Sequence, residues 1–97
     1  MTELIAGHSY ETTLTEKEVG KVLYLGSSYK SYRRWSQSHH GCVHILVFRN
    51  GVGGIECKRF NEYELPDGKL KIRVFSRQKI SPLEREFIDE LLKKAGL

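Results

Sequence analysis

Turn chemistry at Asn50-Gly51 and again at Pro66-Asp67-Gly68 divides residues 42–76 into three runs of β-forming residues. A chain that reverses twice in so short a span, between β-branched and aromatic residues, makes neighbouring antiparallel strands. The runs are Cys42–Arg49, Ile55–Leu65 and Lys69–Ser76, and a three-stranded meander is predicted over 42–76. Val52-Gly53-Gly54 blurs the loop and leaves its register open, and Arg49 opposite Val52 is the pairing assumed. In the second hairpin, Leu65 opposite Leu70 sets Tyr63 against Ile72, Glu64 against Lys71 and Glu62 against Arg73. A slip of one residue would put aliphatic side chains against carboxylates. One face then holds Leu46, Phe48, Ile55, Cys57, Tyr63, Leu65, Leu70, Ile72 and Val74. The other is mixed: Val43, Ile45, Val47, Phe60 and Phe75 lie among Lys58, Lys71 and Arg73.

A helix closes the chain. Ser81-Pro82-Leu83-Glu84 supplies an N-cap, a proline at the first helical position and a capping-box glutamate. Acidic residues precede Lys93 and Lys94, in the sense the helix dipole favours. Leu83, Phe87, Ile88, Leu91 and Leu92 recur at helical spacing and are expected to pack on the Leu46–Phe48 face of the sheet. Two readings stand for the N-terminal third, which is expected to cover the other face. Leu14-Thr15-Glu16-Lys17-Glu18-Val19 has the form of a capping box with a hydrophobic staple, starting a helix that Gly26 ends. Alternatively, Val-Leu-Tyr-Leu makes Lys21–Leu25 a strand, and Gly20 weakens a helix. Glu3–Ala6 and Tyr10–Thr13 suit short strands. Ser27–Gly41 is polar and long for a loop, with room for a short helix from Tyr29 to Ser36. The predicted fold is a single α+β domain over 1–97. It has an antiparallel sheet of three to five strands, the C-terminal helix on one face and an N-terminal helix or strand segment on the other.

Charge narrows the function. From Val19 to Ile55 there is no Asp or Glu, and Lys21, Lys30, Arg33, Arg34 and Arg49 give that stretch +5, against +4 for the whole chain. A second acid-free stretch, Lys69–Leu83, carries Lys69, Lys71, Arg73, Arg77 and Lys79. No apolar run reaches the ~20 residues a bilayer requires, and the N-terminus lacks a signal-peptide pattern. A cytoplasmic protein without a membrane role is expected, its two cysteines remaining free thiols.

The basic segment Tyr29-Lys30-Ser31-Tyr32-Arg33-Arg34-Trp35 interleaves cations with rings. Lys30, Arg33 and Arg34 suit phosphates, while Tyr29, Tyr32 and Trp35 suit stacked bases. The bland alternative packs Trp35 and one tyrosine in the core. Lys69, Lys71 and Arg73, with Phe75, form a second basic strand face, which Glu64 and Glu62 would neutralise as ordinary cross-strand pairs. His40, Cys42 and His44 share one strand face, and the assumed register puts Cys57 opposite His44. Four such ligands could hold tetrahedral zinc, but no CxxC knuckle is present, and core packing accounts for the same residues. No cofactor is implied. Gly51, Gly53 and Gly54 lie in a hairpin and make no phosphate loop.

Three function classes follow. The first is a small non-enzymatic accessory or regulatory protein, of bacterial or phage type by composition, binding RNA or DNA through the basic–aromatic surface. The second is a protein-interaction module, an inhibitor docking on an acidic protein or a homodimer, using the apolar face Val43, Ile45, Val47, Phe60 and Phe75. The third is a small nuclease-like enzyme using His40 and His44.

Overall fold

The computed structural model describes residues 3–34 and 37–97, with the backbone alone described between 28 and 41. Among the described residues, six strands form one sheet: β1 (Ser9–Leu14), β2 (Lys17–Arg34), β3 (Gln37–Arg49), β4 (Ile55–Phe60), β5 (Leu70–Ile72) and β6 (Ser76–Arg77). A helix, α1 (Pro82–Lys94), follows. The spatial order is β5-β1-β2-β3-β4-β6. Neighbours are antiparallel except β5, which runs parallel to β1. The fold is therefore α+β with a mixed sheet.

The sheet curls. Its two edge strands, β5 and β6, are joined by Arg73, Val74 and Phe75 alone. Four Cα steps reach at most ~14 Å, so the outer edges must lie close together. A single pairing narrows the gap further: Glu64 and Lys71 exchange backbone hydrogen bonds of 2.9 and 2.8 Å. This is the Glu64–Lys71 register expected from sequence. The first hairpin of the expected meander forms as β3–β4, but the second goes no further than this bridge, because the chain leaves the sheet after Phe60, makes a tight turn at Pro66–Gly68 and crosses to pair with β1.

The first hairpin explains why the N-terminal third is strand and not helix. Thr15 and Glu16 link β1 to β2 with φ of 45° and 65°, the geometry of a two-residue type I′ turn. Neither is a usual residue for that turn, and a β-branched Thr there is strained. Contacts from β5 hold it: the Thr15 amide donates to the Ile72 carbonyl at 2.8 Å, and its Oγ1 donates to the Arg73 carbonyl at 2.8 Å. The apparent capping box is thus a turn supported from 58 residues away. Two bulges then bend β2, with register shifts opposite Thr12/Thr13 and between Tyr24 and Gly26. Gly20 and Gly26 take positive φ there, 76° and 123°, which glycine adopts freely.

Beyond the second bulge, the expected loop or short helix at Ser27–Gly41 is a strand pair. Ser27–Arg34 of β2 pairs with Gln37–His44 of β3. The β1 ladder ends at Leu23 of β2, and the β4 ladder ends at His44 of β3. Among the described residues, most of this pair therefore has no other strand beside it and forms a two-stranded ribbon.

The β3–β4 hairpin has a different register from the expected one. Arg49 pairs with Ile55, three residues beyond Val52. Asn50 is the cause. Its Oδ1 accepts from the Val52 and Gly54 amides at 3.0 and 2.9 Å, and its own amide donates to the Gly54 carbonyl at 2.8 Å. The side chain organises a loop over 50–54 where Asn-Gly suggested a two-residue turn. An odd shift exchanges faces. Phe48 and Leu46 now pair with Glu56 and Lys58, while Val47 pairs with Cys57.

The core consequently has two parts. Inside the curl, Leu14, Val22, Tyr24, Leu46, Phe48, Phe60, Leu70 and Ile72 pack together. Outside it, Leu23, Val47 and Cys57 are covered by Ile88 and Leu92 of α1. The helix thus rests on the Val47 face, not on the Leu46–Phe48 face. Arg49 also ties it down, through Asp89 at 2.7 Å and the Leu97 carbonyl at 3.1 Å. The Arg49 hydrogen bond, with help from Lys93, holds the Asp89 carboxyl below its usual range. The capping box at Ser81 and Glu84 forms as expected. Val43, Ile45, Val47, Phe60 and Phe75 do not make one surface. Val47 and Ile45 lie on the helix side, and Phe60 and Phe75 on the inner side. The proposed homodimer face is divided between the two core layers.

Candidate nucleic-acid interface

The ribbon carries most of the first basic segment. Its ladder matches Tyr29 with Cys42, Lys30 with Gly41, Tyr32 with His39, Arg33 with Ser38 and Arg34 with Gln37. Trp35 lies outside the described residues, as do the side chains of Tyr29, Lys30, Tyr32, Arg33 and Arg34. Pairing can persist here because both strands supply backbone donors and acceptors to each other, and neither contains proline. No carboxylate residue occurs in Ser27–Arg34 or Gln37–His44. The cations gathered there have no acidic residue beside them in the ladder.

Lys69, Lys71 and Arg73 lie elsewhere. All three are exposed, on or beside β5. Lys71 is in register with Thr13, which is opposite Glu18 of β2. Lys30 is twelve residues further along β2, a contour of up to ~40 Å at ~3.3 Å per residue. The two basic groups are therefore at opposite ends of the longest strand. Acids surround the β5 group: Arg73 meets Glu64 at 3.6 Å, and Lys69 shares a surface recess with Glu11 and Glu18. The expected Glu62–Arg73 pairing is replaced by this exposed Glu64–Arg73 contact, which contributes little.

The His/Cys group is also divided. Phe60, not Cys57, stands opposite His44, and Cys57 is buried on the helix side of the sheet. The register thus separates Cys57 from His44, against the expected tetrahedral set with His40 and Cys42. No group of three or more metal-ligating side chains occurs among the described residues. His44 belongs to an aromatic cluster at the root of the ribbon. Its Nδ1 shares a 2.8 Å hydrogen bond with the Tyr24 hydroxyl. Its ring stacks on Phe60 at 5.2 Å and meets Tyr63 edge-on at 5.3 Å. Burial holds the His44 imidazole below 6.5 and raises the Tyr24 phenol above 10.0, the latter partly offset by a Ser27 hydrogen bond. A neutral, half-buried histidine bonded to a protonated phenol serves packing. Burial likewise pushes the Cys57 thiol up to about 11, which makes it a poor nucleophile at neutral pH.

Sequence reasoning missed one feature near the first turn. The inner core opens there into a cleft of about 340 Å³ with Leu14, Val19, Phe48 and Phe75 in its lining. Lys58 reaches into it, its ammonium 5.6 Å from the Phe75 centroid and 3.3 Å from Glu56. The sequence reading set Lys58 and Phe75 on one face but Phe48 on the other, so the cleft they share was not read.

Among the described residues, no helix is long and apolar enough to cross a membrane. No protein-family model, curated protein or solved structure matches this chain.

Proposed function

We propose that this protein binds RNA or DNA without catalysing a reaction, and that the β2–β3 ribbon is its contact element. The observation that carries this is the coincidence of two boundaries. The acid-free stretch runs from Val19 to Ile55, and the strand pair that extends past its neighbours lies inside it. A two-stranded ribbon has the cross-section that the major groove of duplex DNA admits. Tyr29, Tyr32 and Trp35 supply planes on which unpaired bases stack, at ~1–3 kcal/mol each. Lys30, Arg33 and Arg34 supply the phosphate contacts. The β5 cations, Lys69, Lys71 and Arg73, stand among carboxylates and take a minor part.

The test is fluorescence anisotropy with labelled single-stranded and duplex oligonucleotides across a salt series. Three phosphate contacts give a slope of about −2.7 in log K against log salt, so affinity for duplex falls about 40-fold between 50 and 200 mM. Lys30→Ala/Arg33→Ala/Arg34→Ala should flatten that slope towards zero. Absence of binding to either probe at 50 mM salt, or a slope unchanged in the triple variant, would remove the ribbon from the function.

A further inference from the structure

A second group of cations surrounds a cleft between β4, β6 and the first turn of α1. The cleft measures about 400 Å³ and is lined by Arg77, Lys79 and Arg85; Lys58 and Glu56 also border it, but their charges pair with each other beside Phe75 in the inner cleft. That size lies within the ~300–1,000 Å³ of small-ligand sites. Its electrostatics are unbalanced. In the β4–β6 ladder Lys58 stands directly opposite Arg77, and Arg59 pairs with Ser76. Like charges facing each other across a ladder are destabilising. Lys58 has Glu56 at 3.3 Å. Arg77, Lys79 and Arg85 have no carboxylate within 4.0 Å among the described residues. Glu84 is the nearby acid of the helix, and its carboxylate is turned back to accept from the Ser81 amide at 3.1 Å. That carboxylate offsets the positive end of the α1 dipole and is felt at Cys57 in the cleft lining, so the site's positive charge is that of Arg77, Lys79 and Arg85.

We infer that this cleft is a phosphate-binding site, with Arg77, Arg85 and Lys79 as its donors. Guanidinium forks match the oxygen geometry of a phosphate, and cations arriving from β6 and from α1 reach it from two sides. A monoanionic carboxylate would leave most of the charge uncompensated. A free phosphate and a nucleic-acid backbone offer the same chemistry, and the two sources can be told apart. This site is independent of the ribbon, being built from different strands.

The experiment is an NMR titration of the full chain, following backbone amides at constant ionic strength. One arm adds inorganic phosphate and another adds a short single-stranded oligonucleotide. Phosphate should shift the amides of 76–85 and saturate in the millimolar range. Arg77→Gln/Arg85→Gln should weaken this at least tenfold, with the rest of the spectrum unchanged because both residues are exposed. Lys30→Ala/Arg33→Ala/Arg34→Ala should leave it intact, so failure of the ribbon and failure of the cleft are separately visible. Oligonucleotide shifts at 76–85 that vanish in the Arg77/Arg85 variant assign the site to the nucleic-acid backbone, and a response to inorganic phosphate alone assigns it to a free ligand. No shift at 76–85 with either probe at about 10 mM, or shifts undiminished in the Arg77/Arg85 variant, overturns the inference.

Discussion

Truncating two residues of α1 separately tests which face of the helix meets the sheet. Leu92 is 0% exposed and packs with Leu23, Val47, Cys57 and Ile88, whereas Phe87 is 67% exposed. Leu92→Ala removes buried methyl groups and leaves a cavity, at a cost of about 2–5 kcal/mol. A chain of 97 residues has a total stability of about 5–15 kcal/mol, so the loss is a large fraction of the whole. At ~4–8 °C per kcal/mol for a domain of this size, a loss near 3 kcal/mol lowers Tm by about 12–24 °C. Phe87→Ala removes an aromatic ring that is mostly in water already, so its effect should stay within about 0.5 kcal/mol. Sequence periodicity alone ranks them the other way, since Phe87 is the larger member of the stripe. Urea unfolding followed by far-UV circular dichroism measures both, and an unchanged m-value confirms that stability alone has moved. If Phe87→Ala costs as much as Leu92→Ala, the helix rests on its other face and the outer core is wrongly composed.

Two further outcomes follow from the sheet. Cys42 is exposed and Cys57 buried, so a thiol reagent at pH 8 should titrate one equivalent quickly and the second only in denaturant; equal rates would place Cys57 outside the core. His44 is held below its ordinary 6.5 by burial, so the unfolded chain takes up the proton first as pH falls. That contribution to stability is complete above 6.5 and is lost on acidification through 6.5 towards the lowered folded value. The urea midpoint should drop between about pH 7 and pH 5, and His44→Gln should reduce the drop. An equal drop in the variant would assign the pH response to other groups.

What was legible in the sequence was what local chemistry decides. The capping box at Ser81 and Glu84 is complete within four residues, and α1 starts there as expected. The Glu64–Lys71 register came from matching charge to charge across a short turn. The failures share a cause in longer-range contacts. Thr15-Glu16 has no turn signature of its own and is held as a turn by carbonyls of Ile72 and Arg73, so its local pattern resembles a helix start. Asn50 uses its side chain to build a wider loop, and the resulting odd shift moved α1 to the other face and separated Cys57 from His44. The basic segment was identified from composition. That it lies on a ribbon could not be read, because Ser, Tyr and Arg are not strongly β-forming as a group and the strands there are specified by each other's backbone.

The division of labour in the chain follows from the same topology. Among the residues whose side chains are described, the two hydrophobic clusters form inside the curl and beneath α1. The curl is closed by the Thr15 contacts to β5 and by the short 73–75 link, neither of which involves the ribbon. The closure of the curl is thus distinct from the β2–β3 ribbon proposed as the contact element. The proposed function asks Lys30, Arg33 and Arg34 to attract an anionic partner from that element.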